Sequence, residues 1–337
     1  MPSLGSLPRV RRLPNLGPMP VPPVISTAFA VIRDRDPMPS RLRSGFVAIG
    51  NFDGVHRGHR AVTDATAARA SALSAPALAL TFEPHPRMFF RPNEPLFRLT
   101  PEPAKLRLLA GAELAGAVVM RFDAALADVS AEAFVADILV ARLGIRGVVV
   151  GADFHFGKKR LGTPEFLKQE GARRGFEVQL VQQLLEGGRP LSSGLIRAAL
   201  GEGRVRIATE LLGHTWFIEG EVVRGARRGR DLGFPTANIA LDPACGLKHG
   251  IYAVRAYVGD RRFDAVASFG RRPQFDDGAA LLEVYLFDFS GELYGKALTV
   301  EFLDFIRPEA KFASVEALVA EMKRDSEKAR AILSAAR

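Results

Sequence analysis

The chain has 337 residues, 47% hydrophobic and 25% charged, a balance that suits soluble globular folding and a length that allows about two domains. One cysteine, Cys245, excludes an intrachain disulfide and any cysteine-based metal cluster, and it suits a reducing cytoplasm. The formal charge of +9 is uneven: residues 1–45 hold seven arginines against two aspartates, and the +4 left over the remainder suits small phosphorylated ligands as well as a nucleic acid.

In chain order, residues 1–40 read as a Pro-rich, disordered leader, or as the product of an early start, with Met19 and Met38 available. Arg9, Arg11 and Arg12 ahead of "VPPVISTAFA" imitate a signal peptide, but prolines at 14, 18, 20, 22 and 23 interrupt its apolar core. No run of 18 apolar residues exists, so no membrane span is expected.

From about 46 to 181, "FVAIG", "ALALTF", "GAVVMRF", "GVVVG" and "FEVQLV" read as buried strands. Helical spacing over 60–73, 102–112, 130–142 and 163–174 separates them, which predicts βαβ units and a doubly wound parallel sheet. Ligands of such sheets sit beyond the carboxyl ends of the strands. After about 205 the texture changes to short strands with polar turns, an antiparallel barrel or sandwich. An amphipathic helix over 314–334 closes the chain, with Ser314 as its cap and Val315, Leu318, Val319, Met322, Ala329, Ile332 and Leu333 on one stripe. The expected hinge lies near 200–213, between domains at 41–205 and 206–337.

The stretch "GNFDGVHRGH" (50–59) stands at a strand-to-helix turn. Its glycines let backbone approach a ligand, and the helix start offers free N–H groups to an anion. His56 and His59 lie one helical turn apart and can face one set of phosphates. A zinc site would want a third ligand, and the remaining histidines are scattered, so a phosphate clamp is favoured over a metal site or a merely structural turn. "TFEPHPR" (81–87), "GADFHFGKKRLGT" (151–163) and "SSGLIR" (192–197) converge on the same sheet edge. Each is an ordinary loop by itself; together they outline a nucleotide cleft.

In the second half, "GEVVRGARRGRDLGFPTANI" (220–239) interleaves Arg224, Arg227, Arg228 and Arg230 with glycines, as a flap over phosphates or an exposed basic hairpin does. Thr236 and Asn238, if extended, point to one side and offer hard oxygen ligands for Mg²⁺. Glu283, opening "EVYLFDF", is either a rim charge or a general base, and spacing alone does not choose.

These motifs, in this order from about 46 to 335, resemble the bifunctional prokaryotic riboflavin kinase/FMN adenylyltransferase (FAD synthetase) family. The loop at 50–59 looks like that family's G-N-F-D-G-x-H-x-G-H, complete, and "GRDLGFPTANI", "GIYAV", "LEVYLFDF", "LYGK" and "IRPEAKFASVEAL" are similar to its kinase motifs. The resemblance implies a Rossmann-like nucleotidylyltransferase domain followed by a β-barrel kinase domain with a closing helix. It implies phosphorylation of riboflavin by ATP in the second, then adenylyl transfer from ATP to FMN in the first, giving FAD and pyrophosphate. By resemblance, Thr236 and Asn238 hold Mg²⁺ and Glu283 accepts the riboflavin hydroxyl proton, while His56, His59 and Arg197 relieve charge at the α-phosphorus. Gly50, Phe52, Asp53, Gly54, Gly58, Asp153 and Ser193, with Gly225 and Arg230 of the flap, belong to the ATP-binding set, and Pro84, His85 and Pro86 to the flavin side.

The chain departs from the family pattern at Leu191 and Gly194 in the SSGLIR stretch, and at Ser268 and Gln274 in the kinase half. The implied partners are riboflavin, FMN, FAD and ATP, with no nucleic acid and no membrane. Two alternatives remain: one module active with the other structural, or a basic nucleic-acid-binding protein. The latter needs a coherent basic stripe, which the concentration of charge in the leader does not supply.

Overall fold

The computed structural model describes residues 28–34, 36–224, 232–271 and 280–336. By contact density the chain parts between Ser193 and Gly194 into two compact units.

The first unit is built on a six-stranded, all-parallel sheet in the order β1-β4-β3-β2-β5-β6. Its strands are β1 (Ala30–Arg33), β2 (Phe46–Ile49), β3 (Ala77–Glu83), β4 (Gly116–Arg121), β5 (Gly147–Gly151) and β6 (Glu177–Val181). Val47, Leu78, Leu80, Val118, Val148 and Val150 are buried in one cluster, which explains why these strands read as continuous apolar runs. The helices are α1 (Arg57–Ala72), α2 (Pro86–Phe90), α3 (Glu102–Ala110), α4 (Ala124–Ala127), α5 (Ala131–Ala133) and α6 (Pro164–Arg174). From α5 the chain runs on with wider, π-type winding over Phe134–Arg142. The sheet order reverses at β2, since β3 and β5 flank it on opposite sides, so the turn after Ile49 opens at the switch point of the sheet.

Two features differ from the sequence reading. Residues 30–33, assigned to the leader, form β1 and pair in parallel with β4, and Phe29 and Ile32 are buried. The apolar "FAVI" wins here over its proline-rich context, because β4 offers unpaired backbone that burial alone would leave unsatisfied. Residues 1–27 lie outside the described residues. In addition, a small hairpin, β7 (Leu185–Glu186) with β8 (Arg189–Pro190), intervenes between β6 and the SSGLIR stretch.

The second unit carries α7 (Ser193–Gly201), whose first residue closes the first unit, and α8 (Val205–Leu212). Its body is a closed antiparallel barrel in the order β10-β13-β12-β11-β14-β9. The strands are β9 (Phe217–Val223), β10 (Ala237–Ala240), β11 (Gly250–Val258), β12 (Arg261–Arg271), β13 (Ala280–Leu286) and β14 (Ala297–Arg307). Ile239, Val254, Ala267, Phe269, Leu282, Val284, Val300 and Phe302 are at most 1% exposed and fill it. The closing helix, α9 (Val315–Ala335), lies on the outer wall, where Ala329, Leu333 and Ile332 pack on Ala253, Val266, Tyr285 and Phe287. Ser314 caps it by accepting the Ala317 amide at 3.2 Å. Val315, placed on the apolar stripe by its spacing, stays exposed. Arg307 pins the helix, donating to both carboxylate oxygens of the buried Asp325. Among the described residues no helix is long and apolar enough to cross a membrane.

Candidate functional site

Two sites take shape, one in each unit. In the first, β2 ends at Ile49 and the chain turns sharply before α1 begins. Phe52, Gly54 and Val55 all adopt left-handed backbone, with φ of +49°, +86° and +39°. Only glycine does so without steric cost, so the turn at Phe52 and Val55 is held rather than preferred. His56 caps α1, its Nδ1 accepting the His59 amide at 3.3 Å. Its ring stacks on that of His59, with centroids 3.7 Å apart, and Phe52 meets His59 edge-on. Gly58 makes room for this: a Cβ there would come within 3.1 Å of the His56 ring.

The His59 imidazole is held well below its ordinary pKa by burial first, then by His56, Lys105 and His85. It is therefore neutral near pH 7, and its buried Nδ1 has no protein partner among the described residues. A neutral, desolvated ring beside the positive end of a helix is arranged to receive an anion.

Asp53 is buried and accepts the Thr100 amide at 3.0 Å, so it orders the turn. Ser193 donates its hydroxyl to the Asp53 carbonyl at 2.9 Å, which brings the start of the SSGLIR stretch to the same turn. Gly50 lies beneath the Phe52 ring. At the end of β3, Pro84 follows a cis peptide bond, His85 caps α2 through Nδ1, and Pro86 takes its first position. Asp153 is exposed in the loop after β5, where its carbonyl lies 2.8 Å from the His155 ring. Arg197 sits half-buried on α7, on the second unit's side of the division.

Sequence reasoning missed a buried network under the turn. Lys105, 1% exposed, pairs with Glu83 at 2.6 Å, and Arg98 grips both oxygens of the same carboxylate at 3.0 and 2.7 Å. Burial works to raise the Glu83 pKa, but Lys105 and Arg98 outweigh it and the net shift is downward. The available signal was Lys105 itself, a charge within the buried side of "EPAKLRLLA".

In the second unit the site is a row of side chains on the outer barrel wall. Asn238 on β10 and Ser268 on β12 both lie directly opposite Glu283 on β13. The residues alternating with them fill the barrel, so this row faces outward. Asn238 is buried; its amide nitrogen reaches the Thr236 carbonyl at 3.5 Å, and its Oδ1 has no partner among the described residues. Glu283 and Thr236 line a cavity of about 420 Å³ between wall and helix, with Ser268, Tyr285, Met322 and Ser326. That size lies in the range of small-ligand sites. An orphaned amide oxygen across the ladder from a carboxylate, with a threonine two residues away, is a donor set that fits Mg²⁺. Gly225, Arg230, Arg227, Arg228 and Gln274 lie outside the described residues. Arg224 stands over the Tyr294 ring.

The comparisons with known proteins divide the chain in the same sense. The family model described as FAD synthetase matches residues 38–195, and the one described as riboflavin kinase matches 212–333. Over 285 residues the chain is 38% identical to the bifunctional riboflavin kinase/FMN adenylyltransferase of Escherichia coli (strain K12), covering 84% of this chain and 91% of that one. The protein of the same name from Pseudomonas fluorescens is 39% identical over 297 residues, 86% of this chain and 93% of its own. A solved Streptococcus pneumoniae structure, described as a macrolide-efflux protein, aligns with a TM-score of 0.80 at 30% identity, covering 90% of this chain and 99% of that one. On its sequence and on both units, the chain belongs to the bifunctional riboflavin kinase/FMN adenylyltransferase family.

Proposed function

We propose that the two units divide FAD synthesis between them, the barrel making FMN from riboflavin and ATP and the parallel-sheet unit joining AMP from a second ATP to FMN. The chain is a bifunctional transferase of this kind; the assignment of individual residues is our reading. Its principal support is the Asn238–Glu283 pairing in the barrel wall, which sets an unsatisfied amide oxygen across the ladder from a carboxylate that lines a cavity.

In the kinase unit, Glu283 accepts the proton of the riboflavin 5′-hydroxyl as its oxygen attacks the γ-phosphorus of ATP, whose bond to the β,γ-bridging oxygen breaks as ADP leaves. The reaction depends mostly on positioning and charge neutralisation, with the base contributing at the nucleophile. Thr236 and Asn238 would hold Mg²⁺, which when bound neutralises phosphate charge. Gly225 and Arg230 would belong to the ATP-binding set.

In the adenylyltransferase unit the nucleophile is the FMN phosphate, already an anion, so no strong base is required. The cost lies in crowding negative charge at the α-phosphorus, and the rings of His56 and His59 together with the start of α1 offset it. Ser193 and Asp153 complete the ATP side, with Gly50, Phe52, Asp53, Gly54 and Gly58 shaping the turn; Pro84, His85 and Pro86 face the flavin, and Arg197 is assigned to the phosphates on the family resemblance alone. A reducing cytoplasm suits the lone Cys245. The test is incubation with riboflavin, ATP and Mg²⁺, separating FMN from FAD: His59→Ala should stop at FMN, whereas Glu283→Ala should make nothing from riboflavin yet convert supplied FMN to FAD. Loss of both activities in both folded variants would refute the division.

A further inference from the structure

The buried charges beneath the histidine turn have no part in the chemistry described above, and they are placed where a role is needed. The Lys105 ammonium reaches four oxygens: Glu83 Oε1 at 2.6 Å, Thr81 Oγ1 at 3.1 Å, the Asn51 carbonyl at 3.3 Å and the Phe82 carbonyl at 3.4 Å. Thr81 also donates to the Asn51 carbonyl, at 3.2 Å. From Glu83 the chain of contacts continues through Arg98, which donates to the Thr100 carbonyl at 3.2 Å. Thr100 then returns to the turn, its amide donating to Asp53 and its hydroxyl accepting the Gly54 amide at 2.8 Å. The contacts close a ring that begins at Asn51 and ends at Gly54, and the left-handed residues of this turn, Phe52, Gly54 and Val55, lie inside or beside it.

Stability alone is a weak reason for such a ring, since apolar residues of similar volume often replace buried ion pairs at little cost. Strained backbone at a site persists only where its surroundings over-determine it, and these contacts do so. We propose that Lys105, acting through Glu83 and Arg98, is a positioning residue for adenylyl transfer: it holds the Asn51–Val55 turn in the shape that presents His56 and His59 to the phosphates. This inference rests on the reading that the turn is the adenylyl-transfer site. Lys105 also contributes, after burial and His56 and together with His85, to keeping His59 neutral, so the device acts on electrostatics as well as shape. The charged groups around Lys105 itself are Glu83 and Asp53, which favour its charge, and Arg98, which opposes it.

The test uses the full chain with Lys105→Met, Glu83→Gln, the double variant and His59→Ala, assayed for FAD formation from FMN and ATP. Lys105→Met leaves Glu83 paired with Arg98, so no carboxylate is stranded. It should lower kcat about 10- to 100-fold, as misplacement of catalytic groups does, with KM for ATP and FMN changed less than about threefold. The double variant should be no worse than the poorer single one, because residues that act as one device are not additive. In Lys105→Met the His59 ring should titrate nearer the ordinary histidine value, read from its Cε1 proton by NMR. Thr100→Val breaks the same ring from its far side and should also lower kcat, a second route if Lys105→Met does not fold. Unchanged kcat in folded Lys105→Met, or losses that only follow the unfolded fraction, would overturn the proposal. If His59→Ala keeps adenylyl transfer, the reading of the turn fails and this inference with it. If His59→Ala loses the activity while Lys105→Met keeps it, the inference alone fails.

Discussion

The two sites are built in opposite ways. The first is a loop between β2 and α1, bent through left-handed residues and kept in shape by a buried ring of polar contacts from β3, α3 and the segment before it. The second has no bent backbone of its own: Asn238, Glu283 and Ser268 stand in line because three neighbouring strands are in register. Strand register fixes side chains at spacings of about 5 Å without further support, whereas a loop reaches comparable accuracy only through added contacts. Damage should therefore spread differently. Around the histidine turn, changes at the buried residues of the ring should reach the chemistry; on the barrel wall, effects should be confined to the side chains in the row.

Experiments can break that contrast. The largest effect is expected for Glu283→Gln, which removes the proposed base and leaves the ladder intact: riboflavin phosphorylation should fall about 10²- to 10⁴-fold, with FAD formation from supplied FMN retained. A fall in both would mean that the two sites are not independent. Next, His59→Ala should reduce FAD formation about 10²- to 10³-fold, the usual consequence of losing one preorganised donor, and FMN should accumulate. Smaller still, Asn238→Ala should raise the Mg²⁺ concentration needed for half-maximal riboflavin phosphorylation about 10- to 100-fold; an unchanged Mg²⁺ curve would remove Asn238 from the ligand set.

The smallest effect is on stability, and it has opposite signs in the two units. His59 has a folded pKa below its unfolded value of about 6.5, through burial first and then His56. The unfolded chain thus binds a proton that the folded one does not, and the first unit loses stability as pH falls from that value toward the folded one. Glu301, on the barrel, is raised by burial against the opposing Tyr257 hydroxyl, Arg255 and Arg262. There the folded form holds the extra proton, so its contribution is present at low pH and lost as pH rises through its folded value. Hydrogen exchange at pH 7 and 5.5 should show faster opening of β2 and β3 at the lower pH, with β11 and β14 unchanged or slower.

How far the sequence reached follows from the same contrast. Parallel strands were legible because burial on both faces makes them uninterrupted apolar runs, and "GNFDGVHRGH" announced a turn through its glycines. The opposition of Asn238 and Glu283 was not legible, since 45 residues separate them and only the ladder defines the pairing. Nor was the ring under the turn, whose members Glu83, Arg98 and Lys105 follow no local spacing and meet only when β3 and α3 pack. Arg307 and Asp325 are a third case, invisible until α9 lies on the wall.

Finally, β1 bears on how the chain should be handled. A product starting at Met38 would lack Ala30–Arg33, and β4 would become the outermost strand of the sheet with the run "GAVVM" unpaired along one side. Long apolar borders of that kind recruit other chains edge to edge and aggregate. A clone trimmed to the family-matched span should therefore yield less soluble protein than one that keeps residues 28–37, even though neither candidate site has been touched.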